Sequence, residues 1–349
     1  MITPPPKTRV LRSEKFPSSK TSRVALTLFV LSNFCTPPFN RAQPAPPKLV
    51  EIPLLDCSGL PCVDLATSTG KTLRLLIDTG EANSYLDIKT AQSLGLDIQP
   101  LKGSDGNTIN EVQQTTVPGA HLGDLPLGDF PFMVLDTTPQ PDASGAKPQR
   151  LPGDGALTYS AFQNRLLQID YANHLVRVSE PQSAPQPCPH TCSDLVIKHF
   201  GGFGPVTLTA DGFTLNGQSL DAQIDTLFTG TMLVYPGAVE KLGLKKESKA
   251  KHKEVFPFTQ GGLKLARVDG ATEGFRDLQL IQNAPLYFAT SDAHLPAVHF
   301  DGTVGSGLLS HATVTFDFKG MHMWMEPSGA PKTQAPLAPQ LQPSPPQPE

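Results

Sequence analysis

The stretch LRLLIDTG, residues 73–80, joins an apolar run to an aspartate, a threonine and a glycine. Such a run predicts a buried strand, and the glycine permits a tight turn that presents Asp78 at the strand end. A second stretch, AQIDTLFTG at residues 222–230, also ends a short apolar run at an Asp-Thr pair. One Asp-Thr-Gly is common in ordinary turns, but two copies raise the question of whether Asp78 and Asp225 belong to one site.

The chain repeats itself at a fixed offset. Three pairs of aspartates are each separated by 147 positions (225 minus 78 for the first pair): Asp78 and Asp225, Asp154 and Asp301, and Asp170 and Asp317. Neighbouring residues agree in type at the same offset, as in Ile77 with Ile224 and Gly155 with Gly302. Two diverged copies of one β-rich unit are the simplest explanation. The sequence therefore predicts an all-β fold of two tandem lobes related by a pseudo-two-fold axis, with a few short helices.

Composition shifts mark the limits of these lobes. The predicted segments are an export signal at 1–42, a Pro-rich linker at 43–48, an N-terminal lobe at 49–182, a C-terminal lobe at 183–328 and a disordered Pro/Gln-rich tail at 329–349. Basic residues precede the apolar run 24–31, which is too short to span a bilayer, as in an export signal. Ala42 is the best candidate for cleavage, and the bulky Phe34 makes Cys35 a poor lipid-anchor site. We expect a monomer that is exported to the periplasm or secreted, without a stable membrane span.

Charge excludes one large class of partners. The chain has 28 Lys and Arg against 32 Asp and Glu, and only residues 245–253 are locally rich in lysine, as expected for a solvated loop. A nucleic-acid-binding surface would need a basic patch. We therefore expect no nucleic-acid partner.

The four cysteines after Cys35 are closely spaced in pairs. This spacing favours two local disulfides, Cys57–Cys62 and Cys188–Cys192, formed in an oxidising compartment. The alternative is a zinc site in CPHTC, residues 188–192, but no fourth ligand is evident. We predict neither a metal nor an organic cofactor.

Two carboxylates at hydrogen-bonding distance cannot both ionise cheaply, so such a pair holds one proton between its members. The ionised member can activate a water molecule while the protonated member polarises a carbonyl group. If the two lobes bring Asp78 and Asp225 together at their interface, this chemistry becomes available.

These motifs resemble those of the retropepsin-like and pepsin-like aspartic peptidases, and most of all the bacterial exported type with two lobes in one chain. The resemblance covers about residues 49–327 and implies that Asp78 and Asp225 are the catalytic dyad. It also implies that the hydroxyls of Thr79 and Thr226 tie the two loops together and that Gly80 leaves backbone room beside the dyad. The polar segment 102–114 stands where the family has a substrate-covering flap.

Two positions depart from the family pattern. Leu227 stands where the second loop should have glycine, and we expect its side chain to crowd the dyad or the substrate and to restrict the backbone. The family also has an apolar-apolar-glycine segment behind each loop; the second lobe has Gly305 there, but the first has Thr158.

We interpret the other polar residues as structural. This group comprises the turn-forming Asp154 and Asp301, the strand-end Asp170 and Asp317, the histidines His299, His311 and His322, and the terminal Met321, Met323 and Met325 alternation with Trp324 on the opposite face. His299 lies near Asp301, but no serine or cysteine with a nucleophile elbow accompanies them.

The leading functional hypothesis is an exported aspartic endopeptidase that hydrolyses polypeptides with a water activated by Asp78 and Asp225. The alternative is a catalytically inactive protein of the same fold that binds a peptide or a partner by strand addition. A third hypothesis is a paired-carboxylate glycoside hydrolase. One Trp and five Tyr are few aromatic residues for a sugar-stacking cleft, which argues against it.

Overall fold

The structure is a computed structural model that describes residues 48–102, 106–138, 150–199, 206–256, 263–289 and 299–328. The predicted export segment, the tail and all of the linker except Lys48 lie outside these ranges. Within them, no helix is both long and apolar enough to cross a lipid bilayer.

The first lobe is built mainly from short antiparallel strands. Its elements are β1 (Leu49–Pro53), β2 (Leu55–Cys57), β3 (Leu60–Ala66), β4 (Thr72–Ile77), β5 (Tyr85–Asp87), α1 (Ile88–Ser93), β6 (Gln99–Lys102), β7 (Thr108–Leu122), β8 (Leu125–Leu135), β9 (Gly155–Leu157), α2 (Tyr159–Phe162), β10 (Leu166–Asp170) and β11 (Leu175–Ser179).

The second lobe has a similar succession of elements, with one described strand fewer and with a 3-10 turn after its first helix. These are β12 (Ser193–His199), β13 (Val206–Leu215), β14 (Gln218–Asp225), β15 (Met232–Val234), α3 (Pro236–Lys241), a 3-10 turn (Glu247–Lys249), β16 (Lys253–Phe256), β17 (Leu263–Phe275), β18 (Leu278–Ala289), β19 (Gly302–Gly305), α4 (Ser306–Leu309), β20 (Ala312–Asp317) and β21 (His322–Pro327).

The two lobes have the same sheet topology. Strands of the first lobe pair in the order β2-β3-β4-β9-β5-β8-β7-β6, and those of the second in the order β12-β13-β14-β19-β15-β18-β17-β16. In each lobe the strand that leads into the aspartate runs parallel to a short later strand: Leu75 pairs with Gly155, and Ala222 pairs with Gly302. Both members of the second pair lie 147 positions after those of the first. The duplication predicted from the sequence is therefore preserved in the strand register, and the predicted all-β, two-lobed fold is confirmed.

The lobes join in a shared sheet in which β10 pairs antiparallel with its own repeat, β20. At the centre of this pairing Gln168 lies opposite Thr315, and its Nε2 donates a hydrogen bond to Thr315 Oγ1 at 3.0 Å. Because these two residues are 147 positions apart, each faces its own copy. Such a contact lies on the pseudo-two-fold axis.

The expected local structures are mostly present. Both predicted disulfides, Cys57–Cys62 and Cys188–Cys192, are formed. The strand β7 begins at Thr108, inside the polar segment 102–114. Helix α3 begins at Pro236, because proline is favoured in the first turn of a helix. In β21, Met323 and Met325 are buried, whereas Met321 lies in the preceding turn.

One ionisable side chain is buried in the core of the second lobe. Glu273 in β17 is 0% exposed, and burial raises its pKa to about 8. Its Oε1 accepts a hydrogen bond from Thr231 Oγ1 at 3.1 Å, whereas its Oε2 has no partner among the described residues. Thr231 belongs to the loop that follows Asp225, so Glu273 lies behind the second aspartate loop.

This carboxyl group should make the fold less stable as pH rises. An acid whose folded-state pKa is raised stabilises the fold at low pH, and that stability is lost between the unfolded value of 4.5 and the folded value of about 8. The Glu273→Gln variant is therefore expected to be more stable than the wild type at pH 7, by on the order of 3 kcal/mol, and to lose this advantage near pH 4.

Urea unfolding at pH 4, 6 and 7.5 measures the effect, with Glu247→Gln in the 3-10 turn as the control. Equal stability of the Glu273→Gln variant and the wild type at all three pH values would contradict the assignment.

Candidate active site

Both aspartates leave the ends of the central parallel strands of their lobes. The residues before them, Ile77 and Ile224, are fully buried, which holds the strand ends rigidly. The backbone N–H of Asp78 donates to Leu157 O of β9 at 2.9 Å, and Asp225 pairs with Gly305 of β19. The two loops that carry the acids are thus anchored in the same way in the two lobes.

The two loops are joined across the lobe interface by reciprocal hydrogen bonds. The N–H of Thr79 donates to Thr226 Oγ1 at 3.1 Å, and the N–H of Thr226 donates to Thr79 Oγ1 at 3.2 Å. The Thr79 hydroxyl donates to Ile224 O at 2.9 Å, and the Thr226 hydroxyl donates to Ile77 O at 2.5 Å. Each hydroxyl is therefore both donor and acceptor toward the other lobe. Both threonines are buried, so these bonds do not compete with water.

Each carboxyl group is oriented by the backbone that follows it. Asp78 Oδ1 accepts the N–H of Gly80 at 2.9 Å. Asp225 Oδ1 accepts the N–H of Leu227 at 2.8 Å and that of Phe228 at 3.2 Å. Hydrogen bonds to a carboxylate favour its charged form, and backbone N–H groups lower the pKa of both acids in this way.

Position 80 requires glycine because there is no room for a side chain beside Asp225. Its φ is not in the left-handed region, so the turn does not need glycine for its conformation. A Cβ on Gly80 would lie 2.9 Å from Cγ and 3.1 Å from Oδ1 of Asp225. The first loop therefore lies directly against the second carboxyl group.

Leu227 does not disturb its loop in the way the sequence suggested. Its φ is not positive, and its N–H still orients Asp225. Its half-buried side chain packs across the interface on an apolar cluster of the first lobe, which includes Leu76, Tyr85 and Ala156. The loop thus holds its carboxyl group without glycine, and the leucine side chain forms part of the wall of the site.

The two residues behind the loops are accommodated differently. A Cβ on Gly305 would lie 2.1 Å from Phe228 O, so this position tolerates only glycine. Its counterpart Thr158 is buried, and its N–H donates to Ser84 Oγ at 3.1 Å. A small cluster of hydroxyl groups that also includes Ser160 supports the first loop at this point.

A cavity of about 270 Å³ opens at the two aspartates. Most of its lining residues come from the second lobe, among them Leu227, Phe228, Leu233 and Phe256. Three carboxyl groups line it, those of Asp78, Asp225 and Glu81, and no Lys, Arg or His is found among its described lining residues. The site is therefore acidic and has apolar walls.

Burial raises the pKa of both aspartates. Repulsion from Asp225 and from Glu81 raises the pKa of Asp78 further, well above its ordinary value. Hydrogen bonds from the backbone N–H groups of Gly80 and Glu81 oppose the rise in the pKa of Asp78, and those from Leu227 and Phe228 oppose the rise in the pKa of Asp225. Burial and mutual repulsion therefore favour the neutral form of at least one of the two acids.

Glu81 is a site residue that the sequence analysis missed. It stands on the exposed side of the cavity, where partial burial and repulsion from Asp225 raise its pKa to about 7. Its position directly after Asp-Thr-Gly was the only signal in the sequence, because a residue there must lie beside the dyad.

The other aspartates of the repeat do not line this cavity. Asp154 Oδ2 accepts the N–H of Arg74 at 2.8 Å, and Asp301 Oδ2 accepts the N–H of Asp221 at 3.0 Å. Both contacts fasten the turns before β9 and β19 to the strands β4 and β14. Asp170 and Asp317 accept backbone N–H groups in the turns after β10 and β20.

The histidines are also outside the cavity. His299 and His311 are exposed, and His322 Nε2 lies 3.5 Å from Asp317 Oδ2. Cys188 and Cys192 are bonded to each other and do not offer thiolates to a metal.

Residues 65–159, which contain the first aspartate loop and its supporting strands, match the family model described as aspartyl protease. Over this range the chain is similar to aspartyl proteases. The second aspartate loop lies beyond the matched range and is related to the first loop by the 147-residue repeat.

Structural comparison of the chain finds distant similarities. Conglutin gamma, a basic 7S globulin from lupine seeds, is 13% identical with a TM-score of 0.42, over 81% of this chain and 95% of the other. Basic 7S globulin from soybean is 13% identical with a TM-score of 0.42, over 80% and 95%. The aspartic proteinase from Irpex lacteus is 13% identical with a TM-score of 0.41, over 81% and 99%. No curated protein sequence matches the chain.

The threonine hydrogen bonds can be tested by an isosteric substitution. The Thr226→Val variant loses the hydroxyl that donates to Ile77 O and accepts from Thr79 N–H, leaving two buried backbone groups unpaired. We expect a loss of about 2–4 kcal/mol in the free energy of unfolding. Denaturant unfolding measures it, with the exposed Thr116→Val on β7 as the control. A loss no larger than that of the control would show that the bonds contribute little.

Proposed function

We propose that this chain is an exported aspartic endopeptidase, a monomer that hydrolyses polypeptides with a water molecule activated between Asp78 and Asp225. The observation that supports it best is the joining of the two aspartate loops by reciprocal threonine hydrogen bonds beside one cavity that both carboxyl groups line. The raised pKa values of the two acids are those expected of a pair that holds one proton between its members.

The reaction uses that single proton. Asp225, the ionised member, takes a proton from water, and the water oxygen attacks the peptide carbonyl carbon. Asp78, the protonated member, gives its proton to the carbonyl oxygen, so that a neutral tetrahedral diol forms. The diol collapses when Asp225 gives the water proton to the amide nitrogen and the carbon–nitrogen bond breaks. A diol hydroxyl returns its proton to Asp78, and the pair regains its starting state.

The surrounding residues give this reaction its geometry. Thr79 and Thr226 fix the separation of the two loops, and Gly80 leaves the Asp225 carboxyl group uncovered on the cavity side. The apolar walls provided by Phe228 and Leu233 reduce the access of bulk water, which strengthens the electrostatic interactions of the dyad.

Export is supported by the two disulfides, because disulfides persist in oxidising compartments. Cys57–Cys62 closes the β2–β3 hairpin beside the apolar cluster on which Leu227 packs. An oxidising environment thus also preserves the disulfide that closes this hairpin next to the site.

A second candidate function is peptide binding without hydrolysis. It is favoured by Leu227, whose side chain stands where the family has glycine and lines the cavity at the dyad. In that case the same cleft holds a peptide, but no bond is broken.

Peptide hydrolysis by the purified chain separates the two. Between pH 3 and pH 8 we expect cleavage of an unfolded protein substrate, and the Asp78→Asn and Asp225→Asn variants should each lose about 10²–10⁴-fold in kcat/KM. Asp124→Asn, in the exposed β7–β8 turn, is the control and should retain activity. Absence of turnover by the wild type across this range, with retained peptide binding, would establish the second candidate instead.

Glu81 should set the alkaline limit of the activity. Its negative charge raises the pKa of Asp78, so that the shared proton is kept to higher pH. The Glu81→Gln variant is expected to shift the alkaline limb of the kcat/KM profile to lower pH, by on the order of half a unit at this solvent-exposed position. Glu247→Gln serves as the control. An unchanged limb, or a shift to higher pH, would refute this role for Glu81.

A further inference from the structure

The 147-residue repeat allows the two sides of the cleft to be compared position by position. The residue two places after each aspartate is Gly80 in the first loop and Leu227 in the second. Each of them faces the opposite lobe: Gly80 lies against Asp225, and Leu227 packs on the apolar cluster of the first lobe. The two sides of the cleft are thus covered by residues of very different size.

On the first-lobe side, the Leu227 side chain covers the surface that it packs against. Its residues are Leu76 on β4 and Ala156 on β9, which are 1% and 0% exposed. Both belong to the cluster that Leu227 packs against, and neither lines the cavity. The Leu227 side chain therefore occupies the space in which a substrate side chain would otherwise contact the first lobe.

On the second-lobe side, the equivalent surface beside Gly80 is open to the cavity. The counterparts of Leu76 and Ala156 are Gln223 and Thr303, and both line the cavity, since Gly80 has no side chain to cover them. Their polar groups are already paired. Gln223 Nε2 donates to Gly80 O at 3.4 Å, Thr303 Oγ1 donates to Gln223 Oε1 at 3.0 Å, and the Tyr235 hydroxyl lies 2.9 Å from Thr303 Oγ1.

This open side is large enough for an aromatic ring. The cavity of about 270 Å³ exceeds the roughly 150 Å³ of an apolar cavity that binds benzene. Its walls are the apolar side chains of Phe228, Leu233 and Phe256. Because the polar groups of Gln223 and Thr303 already form hydrogen bonds within the protein, an entering substrate side chain does not need to supply any.

We propose that Leu227 makes the cleft selective for the size of the substrate side chain on one side only. Of the two substrate residues that flank the cleaved bond, the one that contacts the first lobe is small, glycine or alanine. The one that contacts the second lobe is large and apolar, preferably aromatic. This inference rests on the proposed peptidase function. Leu227 is the specificity-determining residue, because it fills one side chain site and leaves the other open.

Binding of non-hydrolysable peptides tests the inference apart from turnover. Four hydroxyethylene-linked hexapeptides, identical except for Ala or Phe on each side of the link, are titrated by calorimetry into the wild type, Leu227→Ala and Leu55→Ala. Leu55 packs on the same apolar cluster but does not line the cavity, which makes its variant a matched control. A parallel digestion of a peptide library by the wild type reports turnover and the residues around each cleaved bond.

We expect one mixed ligand to bind the wild type best and the di-Phe ligand to bind at least about tenfold more weakly. Leu227→Ala should raise the di-Phe affinity by about tenfold and change that of the best mixed ligand little, and Leu55→Ala should alter neither.

Equally tight binding of the di-Phe ligand by the wild type, no gain in Leu227→Ala, or no binding of any ligand would overturn the inference. Cleavage between two large residues would overturn it while leaving the peptidase function intact. One-sided binding without cleavage would support it and refute the peptidase function.

Discussion

The site depends on the hydrogen bonds that Thr79 and Thr226 exchange across the lobe interface. A buried N–H or carbonyl group without a partner costs free energy, and each threonine satisfies two such groups in the opposite lobe. Because the two residues are equivalent in the repeat, the contacts lie on the axis that also passes between Gln168 and Thr315. Two separate points on one axis restrict rotation of the lobes relative to each other, and so fix where Asp78 and Asp225 meet.

Around this symmetric centre the site itself is asymmetric. The first loop contributes Gly80 and Glu81, and at the same positions the second contributes Leu227 and Phe228. The additional negative charge of Glu81 therefore lies on one side of the two aspartates, and the apolar side chains of Leu227 and Phe228 lie on the other. Repulsion from Glu81 raises the pKa of Asp78, whereas backbone N–H groups lower the pKa of both acids. The two acids, which stand at equivalent positions of the repeat, therefore have different surroundings.

The carboxyl groups whose pKa values are raised share one physical origin, which is burial without a cation. Glu273 in the core and Asp78 and Asp225 at the interface all lack a basic partner among the described residues. Since the neutral form of such a group is preferred in the folded state, they favour the fold at acid pH and oppose it as pH rises. In the proposed peptidase function, one of the protons that burial retains takes part in the reaction.

The sequence alone determined the duplication, the all-β class, the disulfide pairs and the loops that carry Asp78 and Asp225. These follow from local apolar runs, cysteine spacing and a constant offset, all of which can be read along the chain. Glu81 and Gln223 were not identified as site residues, and the packing of Leu227 on the opposite lobe was not foreseen. Only the tertiary structure decided these, because a side chain's surroundings at an interface depend on residues about 150 positions away. The order of residues along the chain does not by itself indicate such contacts.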